Sequence, residues 1–211
     1  MRGRFITLEG GEGAGKTTLI QALAEKLRGR GLDVVVTREP GGTPGAEALR
    51  EILLTGATDR WSPMTEALLM YAARVDHVER LIAPALQRGA WVLSDRFADS
   101  TTAYQGAAGG VPIERIKALH LAALGNFKPD LTLILDVNPT VGIERTIARG
   151  EDATRFERFD PGFHGRLRQA FLDIADDEPD RCVVIDGGEA ADIVFRHAVS
   201  MIDDHLGARL L

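Results

Sequence analysis

One glycine-rich segment constrains the fold of this 211-residue chain more than any other feature. Residues 10–17 read GGEGAGKT, which matches the pattern G-x-x-x-x-G-K-[ST]. Glycines let a backbone curl so that successive N–H groups point at phosphate oxygens, and a helix that follows adds its positive N-terminal end. Because an apolar run precedes the segment and a helical pattern follows it, the sequence predicts a phosphate-binding loop between a strand and a helix.

Each part of this loop has a predicted role. Lys16 is expected to reach the β- and γ-phosphates of a nucleoside triphosphate, and the Thr17 hydroxyl to ligate Mg²⁺. The residues predicted to surround the triphosphate are Gly10, Gly11, Glu12, Gly13, Ala14, Gly15, Lys16, Thr17 and Thr18. The motif alone leaves the reaction open, because GTPases, motor ATPases and small-molecule kinases share it. A guanine-reading Asn-Lys-x-Asp string is not supported, since the nearest candidate, residues 126–130, has the wrong spacing.

Apolar runs alternate with helical patterns along the chain. Five runs are expected to be strands: Phe5–Leu8, Val34–Thr37, Trp91–Leu93, Leu131–Leu135 and Cys182–Ile185. Strands without polar alternation are covered by helices on both faces, which is typical of a parallel sheet. The pattern predicts an α/β protein with the three-layer fold of P-loop NTPases: a five-stranded parallel sheet flanked by helices. We expect one domain over residues 1–211, with a mobile lid at about 145–160.

Composition and charge exclude several classes of protein. The chain is 45% hydrophobic and 27% charged, as expected of a globular protein, and no apolar stretch approaches the length of a membrane span. Its net charge of -6 argues against broad nucleic-acid binding, which needs a basic face. Cys182 is the only cysteine, so no intrachain disulfide is possible, and a cytoplasmic location is expected.

Polar clusters near the ends of predicted strands indicate a second ligand, because ligands bind at the carboxyl ends of strands in open α/β sheets. Arg38 ends the second strand and could bind a phosphate, although a surface salt bridge is an equal alternative. Asp95 and Arg96 end the third, where the carboxylate could lie beside a metal ion and the arginine could face a phosphate; a surface Asp–Arg pair is the alternative. Neutral groups suited to a base and a sugar follow at Thr101, Tyr104 and Gln105.

Two other segments carry candidates. Met70 and Arg74 share one face of a predicted long helix and could grip a ligand, or could be a core position and an arginine at its margin. A segment dense in arginine could close over the triphosphate and stabilise the transferring phosphoryl group, or could be a solvated helix face. Its arginines are Arg145, Arg149, Arg155 and Arg158.

Four strings together resemble bacterial thymidylate kinases in their order and spacing. They are LEGGEGAGKTT (residues 8–18), TREPGGT (37–43), DRF (95–97) and AYQG (103–106). The resemblance covers essentially the whole chain. It implies a Mg²⁺-dependent ATP:dTMP phosphotransferase that makes dTDP for dTTP synthesis, with the fold of P-loop nucleoside monophosphate kinases and a homodimeric assembly.

The resemblance also implies roles for individual residues. It places Glu12 near the acceptor sugar, Arg38 and Arg96 at the acceptor phosphate, and Asp95 on the metal side. It places Arg74 at thymine, Thr101 at the base and Tyr104 against the 2′ position of the sugar, and other acceptor contacts at Pro40, Met70, Tyr71 and Gln105. The implied catalytic residues are Lys16, Glu12, Asp95 and either Arg149 or Arg155, and Arg145 is expected on the ATP side.

One position departs from the family pattern. The family commonly stacks thymine on a phenylalanine four residues before the matched arginine, and this position is Met70 here. Either Met70 contacts the base through its sulfur or the helix register differs and Tyr71 is nearer. Two rival functions remain at this point: a P-loop kinase for another nucleotide or a deoxynucleoside, and a nucleotide-binding switch or assembly ATPase.

Overall fold

A computed structural model describes residues 3–148 and 155–210, and its centre is a parallel sheet. Five strands lie in the order β2-β3-β1-β4-β5, with every neighbouring pair parallel. They are β1 (Phe5–Glu9), β2 (Val34–Arg38), β3 (Trp91–Asp95), β4 (Leu131–Asp136) and β5 (Cys182–Asp186). The predicted α/β fold with a five-stranded parallel sheet is confirmed. Each strand extends one or two residues beyond its predicted carboxyl end.

Helices cover both faces of this sheet. They are α1 (Lys16–Gly29), α2 (Pro44–Leu54), α3 (Pro63–His77), α4 (Ala83–Gln87), α5 (Ala98–Thr101), α6 (Ile113–Leu124), α7 (Pro139–Ala148), α8 (Pro161–Asp177) and α9 (Ala191–Leu206). Two π-helical segments, Val78–Ile82 and Thr102–Ala108, continue α3 into α4 and extend α5, and Phe156–Arg158 forms a 3₁₀ turn. Within the described ranges, no helix has both the length and the apolar character that crossing a bilayer requires.

Three helices begin with the same local arrangement. A polar side chain accepts a hydrogen bond from a backbone N–H three residues ahead, and proline occupies the first helical position. The cap satisfies an N–H group that lacks a partner inside the helix, and proline has no N–H to satisfy. The three pairs are Thr43 with Pro44, Ser62 with Pro63, and Asp160 with Pro161. Serine followed by proline at positions 62 and 63 predicts a helix start from the sequence alone, and α3 begins there. Pro84 predicts an irregularity in the same helical stretch, and the π-helical segment Val78–Ile82 lies just before it.

The order of strands places the phosphate loop at the centre of the sheet. β1 is the middle strand, between β3 and β4, and the loop follows it directly. In the parallel ladder Leu8 pairs with Asp95, so the carboxyl ends of β1 and β3 lie side by side. Ligands of open α/β sheets bind at such a point, where the chain changes from one side of the sheet to the other.

Helix α7 supports the phosphate loop through a close approach of two glycines. A Cβ atom on Gly142 would lie 2.3 Å from the carbonyl oxygen of Glu12, and one on Gly13 would lie 2.0 Å from that of Gly142. Gly13 also has a positive φ of 65°, which side chains disfavour. The backbone of α7 therefore contacts the loop without side chains between them, and the arginine segment begins at the end of this helix.

Candidate active site

The phosphate loop holds its own lysine. Lys16 is buried, and its Nζ donates to the carbonyl oxygens of Gly10 at 3.1 Å and Gly11 at 2.8 Å. Burial and the nearby charge of Arg96 lower the pKa of Lys16 to about 8, although carboxylates including Asp95 oppose this shift. The ammonium group therefore loses its charge more readily than an exposed lysine does.

A pocket opens beside the loop between α1 and α9. The predicted residues Gly13, Ala14, Gly15, Thr18 and Arg145 line it together. Arg145 Nη1 donates to the carbonyl oxygen of Gly187 at 2.9 Å, which joins the end of α7 to the segment after β5. The structure thus brings these five of the predicted donor-side residues to one pocket, whereas Gly10, Gly11, Glu12, Lys16 and Thr17 do not line it.

Sequence reasoning missed the far side of this donor pocket. It consists of residues that follow β5 and begin α9, namely Gly187, Glu189, Ala191, Asp192, Val194 and Phe195. The signal was present, because the rule that ligands bind at the carboxyl ends of parallel strands applies to the fifth strand as it does to the others.

The two predicted metal ligands are adjacent. Thr17 Oγ1 donates to Asp95 Oδ2 at 3.2 Å. Thr17 is at the start of α1 and Asp95 ends β3, and the parallel register brings the two segments together. A hydroxyl and a carboxylate are hard oxygen ligands of the kind that Mg²⁺ prefers, so the residues present fit this ion.

A second cleft lies on the other side of the loop, enclosed by α2, α3 and the segment after β3. Most residues predicted to bind the acceptor line it: Glu12, Pro40, Met70, Arg74, Arg96, Thr101, Tyr104 and Gln105. Six residues that sequence reasoning did not assign also line it: the polar residues Glu39, Arg50 and Ser100 and the apolar residues Leu54, Phe97 and Phe156. We refer to this space as the acceptor cleft.

Glu12 is the carboxylate of the loop that lines the acceptor cleft. Its Oε1 accepts from Tyr104 Oη at 2.6 Å and from Arg96 Nη2 at 3.1 Å. Burial acts to raise the pKa of Glu12, but the charges of Arg96 and Lys16 outweigh it and lower the pKa to about 2. Burial raises the pKa of Tyr104 well above its usual range. Glu12 is therefore ionised and Tyr104 is a neutral hydrogen-bond donor near neutral pH.

Arg96 has an unusual backbone. Its φ of 70° lies in the left-handed region, which costs a non-glycine residue about 1–3 kcal/mol. Its N–H donates to the carbonyl oxygen of Leu8 at 2.9 Å, and its Nη1 donates to that of Gly10, also at 2.9 Å. The strained backbone turns the guanidinium back toward the loop, where it lies 4.9 Å from the ring of Tyr104.

Glu9, the last residue of β1, ties the loop to the segment after β3. Its carboxylate is fully buried and accepts from Phe97 N at 2.7 Å and from Ser100 Oγ at 2.6 Å. Burial and the neighbouring Asp99 raise the pKa of Glu9 to about 7. The sequence shows a glutamate just before the phosphate loop. It does not show that this glutamate is buried or which groups bind it, so no role was assigned to Glu9 from the sequence.

Two predicted acceptor ligands lie outside the acceptor cleft. Arg38 is more than half exposed and pairs with Glu47, with Nη2 and Oε2 3.1 Å apart. Tyr71 is buried beneath Arg74, whose guanidinium carbon lies 4.6 Å from the ring, and its hydroxyl group bonds to His120 Nδ1 at 3.2 Å. The register of α3 therefore directs Met70, and not Tyr71, into the cleft.

Arg50 lines the cleft on the side where Arg38 was expected. Its Nη1 donates to the carbonyl oxygen of Pro40 at 2.8 Å. Burial lowers the pKa of Arg50, and the positive charge of Arg38 acts in the same direction, which shows that the two arginines are near each other. The sequence offered no signal for Arg50, because α2 carries several charged residues and only tertiary packing selects the one that faces the cleft.

The arginine segment is described only in part. Arg149 lies outside the described residues. Arg155 is fully buried, and it donates from Nε to the carbonyl oxygen of Leu53 at 3.1 Å and from Nη1 to that of Thr58 at 2.8 Å. Its Nη2 pairs with the carboxylate of Glu66. Because all three nitrogens have partners in α2, α3 and the segment between them, the expectation that Arg155 meets a γ-phosphate does not fit this arrangement.

Comparisons with known proteins agree with this geometry. The family model described as thymidylate kinase matches residues 8–197. A thymidylate kinase of Caulobacter vibrioides is 58% identical over 206 residues, which are 98% of this chain and 99% of that protein. A thymidylate kinase of Afipia carboxidovorans is 51% identical over 211 residues, with 99% of this chain and 92% of the relative covered.

A solved structure extends the comparison to three dimensions. The thymidylate kinase of Ehrlichia chaffeensis superposes with a TM-score of 0.77 at 33% sequence identity, and the match covers 96% of this chain and 99% of that one. The family match over most of the sequence, the full-length relatives and the shared fold lead to one conclusion: the chain belongs to the thymidylate kinase family.

Proposed function

We propose that this protein transfers the γ-phosphoryl group of ATP to dTMP and so forms dTDP for dTTP synthesis. The main support for this proposal is that two spaces for ligands lie on either side of one loop. Gly13 lines the donor pocket and its neighbour Glu12 lines the acceptor cleft. A nucleotide-binding switch or assembly ATPase needs only the first space, so the second supports a group transfer between two bound ligands.

The transfer is in line and needs no covalent enzyme intermediate, because an acceptor phosphate is already a nucleophile at neutral pH. Lys16 stabilises the migrating group, while Arg96 holds the attacking phosphate. Arg50 lines the same cleft and adds its positive charge to that of Arg96 at the attacking phosphate. Arg38 is near enough to add its charge as well. Positioning and electrostatic stabilisation then provide most of the rate acceleration.

The residues around the acceptor sugar and base follow from the cleft. Ionised Glu12 accepts hydrogen bonds near the sugar, and the ring of Tyr104 occupies the space that a 2′ hydroxyl group would need. Arg74, Thr101 and Gln105 offer donors and acceptors to the base. Met70 contributes a flexible thioether that can pack on the base through a sulfur–aromatic contact.

We infer that Mg²⁺ is the metal, held by Thr17 and Asp95, whose oxygens already lie 3.2 Å apart. When bound, the ion neutralises charge that develops on the phosphates. Arg149 is the proposed catalytic arginine of the lid, because Arg155 has its nitrogens bound elsewhere. Arg145 contacts the donor nucleotide. One domain carries all these groups, and a cytoplasmic location agrees with the single cysteine of the chain.

A panel of acceptors tests the proposed function. We expect dTMP to have the highest kcat/KM in a coupled ADP-release assay, ahead of dUMP, UMP, AMP and thymidine. The margin over dUMP should be about 10-fold or more, since one buried methyl group is worth 10–200-fold in such a pocket. As a control, Lys16→Ala should remove turnover while the midpoint of thermal unfolding changes little. A better acceptor than dTMP, or a fully active Lys16→Ala variant, would contradict the proposal.

The pH dependence of donor use follows from Lys16. Its pKa of about 8 in the free protein means that the ammonium charge is present at pH 7 and is lost as the pH rises through 8. We therefore expect kcat/KM for ATP, which reports the free enzyme, to fall above about pH 8. The bound triphosphate favours the charged lysine, so kcat should decline only at higher pH.

A pH–rate profile from about pH 6 to 9.5 measures both quantities at saturating dTMP. The matched variant is Lys16→Arg, whose guanidinium does not titrate in this range. Its residual kcat/KM for ATP should lack the alkaline decline. A wild-type profile that stays flat to about pH 9.5 would show that Lys16 does not control donor binding through its charge.

We also propose a homodimer, supported by an apolar surface on α3 and α6. Leu68 on α3 is 49% exposed and Leu121 on α6 is 62% exposed, and only Ile116 of α6 is buried. Exposed apolar surface of this kind marks sites of protein association. A second copy of the chain is the expected partner, as the family resemblance implies.

Light scattering after size exclusion tests this surface. The wild type should have about twice the 22.8 kDa mass of one chain, and Leu121→Glu should shift it toward the monomer because a charge is costly in an apolar contact. Ile147→Glu is the control, since Ile147 is 73% exposed but lies on α7. A monomeric wild type, or an unchanged mass for Leu121→Glu, would refute the proposed interface.

A further inference from the structure

A buried carboxylate that the mechanism does not use lies behind Arg74. Glu39 is 5% exposed, and its Oε2 accepts from Arg74 Nε at 2.6 Å. Its Oε1 lies 3.0 Å from Nδ1 of His77, a ring with no exposed surface. Thus one carboxylate joins the base of the acceptor cleft to the last residue of α3.

The contact of His77 with Glu39 has a defined direction. A carboxylate can only accept, so Nδ1 is the donor toward Glu39. On the other side of the ring, Thr37 Oγ1 lies 2.7 Å from Nε2. Both ring nitrogens of His77 therefore have hydrogen-bond partners.

Packing holds the ring as well. A Cβ atom on Gly42 would lie 2.4 Å from His77 Nε2, so the backbone of the loop after β2 lies directly against the imidazole. Gly42 has a φ of 88°, which favours glycine here. The ring cannot rotate without moving this loop, and Glu39 belongs to the same loop.

The guanidinium of Arg74 is fixed except at one nitrogen. In addition to the bond from Nε, its Nη2 donates to the carbonyl oxygen of Phe97 at 3.0 Å and to Thr101 Oγ1 at 3.1 Å. Nη1 is buried without a partner among the described residues, and Arg74 lines the acceptor cleft. Since the group is planar and rigid, fixing Nε and Nη2 also fixes the direction in which Nη1 can donate.

We propose that Glu39 and His77 are positioning residues that make Arg74 select a pyrimidine with a carbonyl group over one with an amino group. Nη1 can only donate, and thymine presents O4 as an acceptor where cytosine presents a donating N4. A buried donor that is left without an acceptor is unfavourable, so a carbonyl oxygen is favoured and an amino group is rejected. This inference rests on the proposed function, because it requires the base to lie in the acceptor cleft.

Removal of Glu39 should act on binding more than on the chemical step. In Glu39→Gln the buried Arg74 loses its counter-charge, and a single amide oxygen replaces the two carboxylate oxygens that face Arg74 Nε and His77 Nδ1 separately. The base is bound in both the ground state and the transition state, so loss of its contact raises KM and leaves kcat nearly unchanged. A role limited to stability would instead lower the fraction of folded enzyme, and hence kcat, with KM unchanged.

The experiment measures kcat and KM for dTMP, KM for ATP and the inhibition constant of dCMP in the full-length enzyme. We expect Glu39→Gln to raise KM for dTMP by about 10- to 100-fold, by analogy with residues that orient the ligands of a metal ion. kcat and KM for ATP should stay within about threefold, and the preference for dTMP over dCMP should fall by a similar factor to the rise in KM. The control is Glu178→Gln, which removes a carboxylate from another buried arginine, Arg181, and should leave KM for dTMP unchanged.

Two variants of His77 separate positioning from packing. His77→Asn places an amide nitrogen near the position of Nδ1 and should keep KM within about threefold of the wild type. His77→Leu fills the space without a donor and should raise KM by about 3- to 10-fold, the net contribution of one ordinary hydrogen bond. This pair also decides the matter if Glu39→Gln does not fold.

The outcomes are distinct. Unchanged KM for dTMP in Glu39→Gln, or equal KM values for His77→Asn and His77→Leu, would overturn the positioning role. A fall in kcat at constant KM would do the same. If the wild type prefers another acceptor, the proposed function fails first, and that result appears in the wild-type panel before any variant is compared.

Discussion

The close contact of Arg96 with the phosphate loop is the interaction on which both ligand spaces depend. Its guanidinium bonds to Gly10 in the loop and to Glu12, and Glu12 bonds to Tyr104. The positive charges of Arg96 and Lys16 keep the buried Glu12 ionised, and the carboxylates around Lys16 limit its loss of charge. Burial of each of these charged groups is unfavourable, and the opposite charges beside it offset this cost only while they stay in place. The loop, the end of β3 and the acceptor cleft therefore form one electrostatic unit.

Much of this architecture could be predicted from the sequence, because the responsible patterns are local. The loop needs glycines and a lysine at fixed spacing, the strands need apolar residues on both faces, and a helix start such as Ser62 with Pro63 needs only its neighbours. The same is true of Asp95 and Arg96, which follow an apolar strand directly. These expectations agree with the structure, because the residues that determine each of these features are neighbours in the sequence as well as in space.

The remaining residues of the site depend on tertiary packing, which the sequence pattern does not encode. The orientation of α2 determines that Arg50, and not Arg38, lines the acceptor cleft. The rotation of α3 determines that Met70, and not Tyr71, lines it. Arg155 looked like a phosphate ligand because its segment is rich in arginine, yet it is buried among Leu53, Thr58 and Glu66. Partner groups that lie far away in the sequence determine each of these outcomes.

A single-turnover experiment with γ-labelled ATP tests whether the phosphoryl group passes between two bound nucleotides. Enzyme in excess over ATP is mixed with dTMP and Mg²⁺, and the label is followed in dTDP and in free phosphate. We expect nearly all label to appear in dTDP, and little phosphate to be released when dTMP is omitted. Release of the label as free phosphate at the same rate with and without dTMP would contradict it, because the acceptor cleft would then have no part in the reaction.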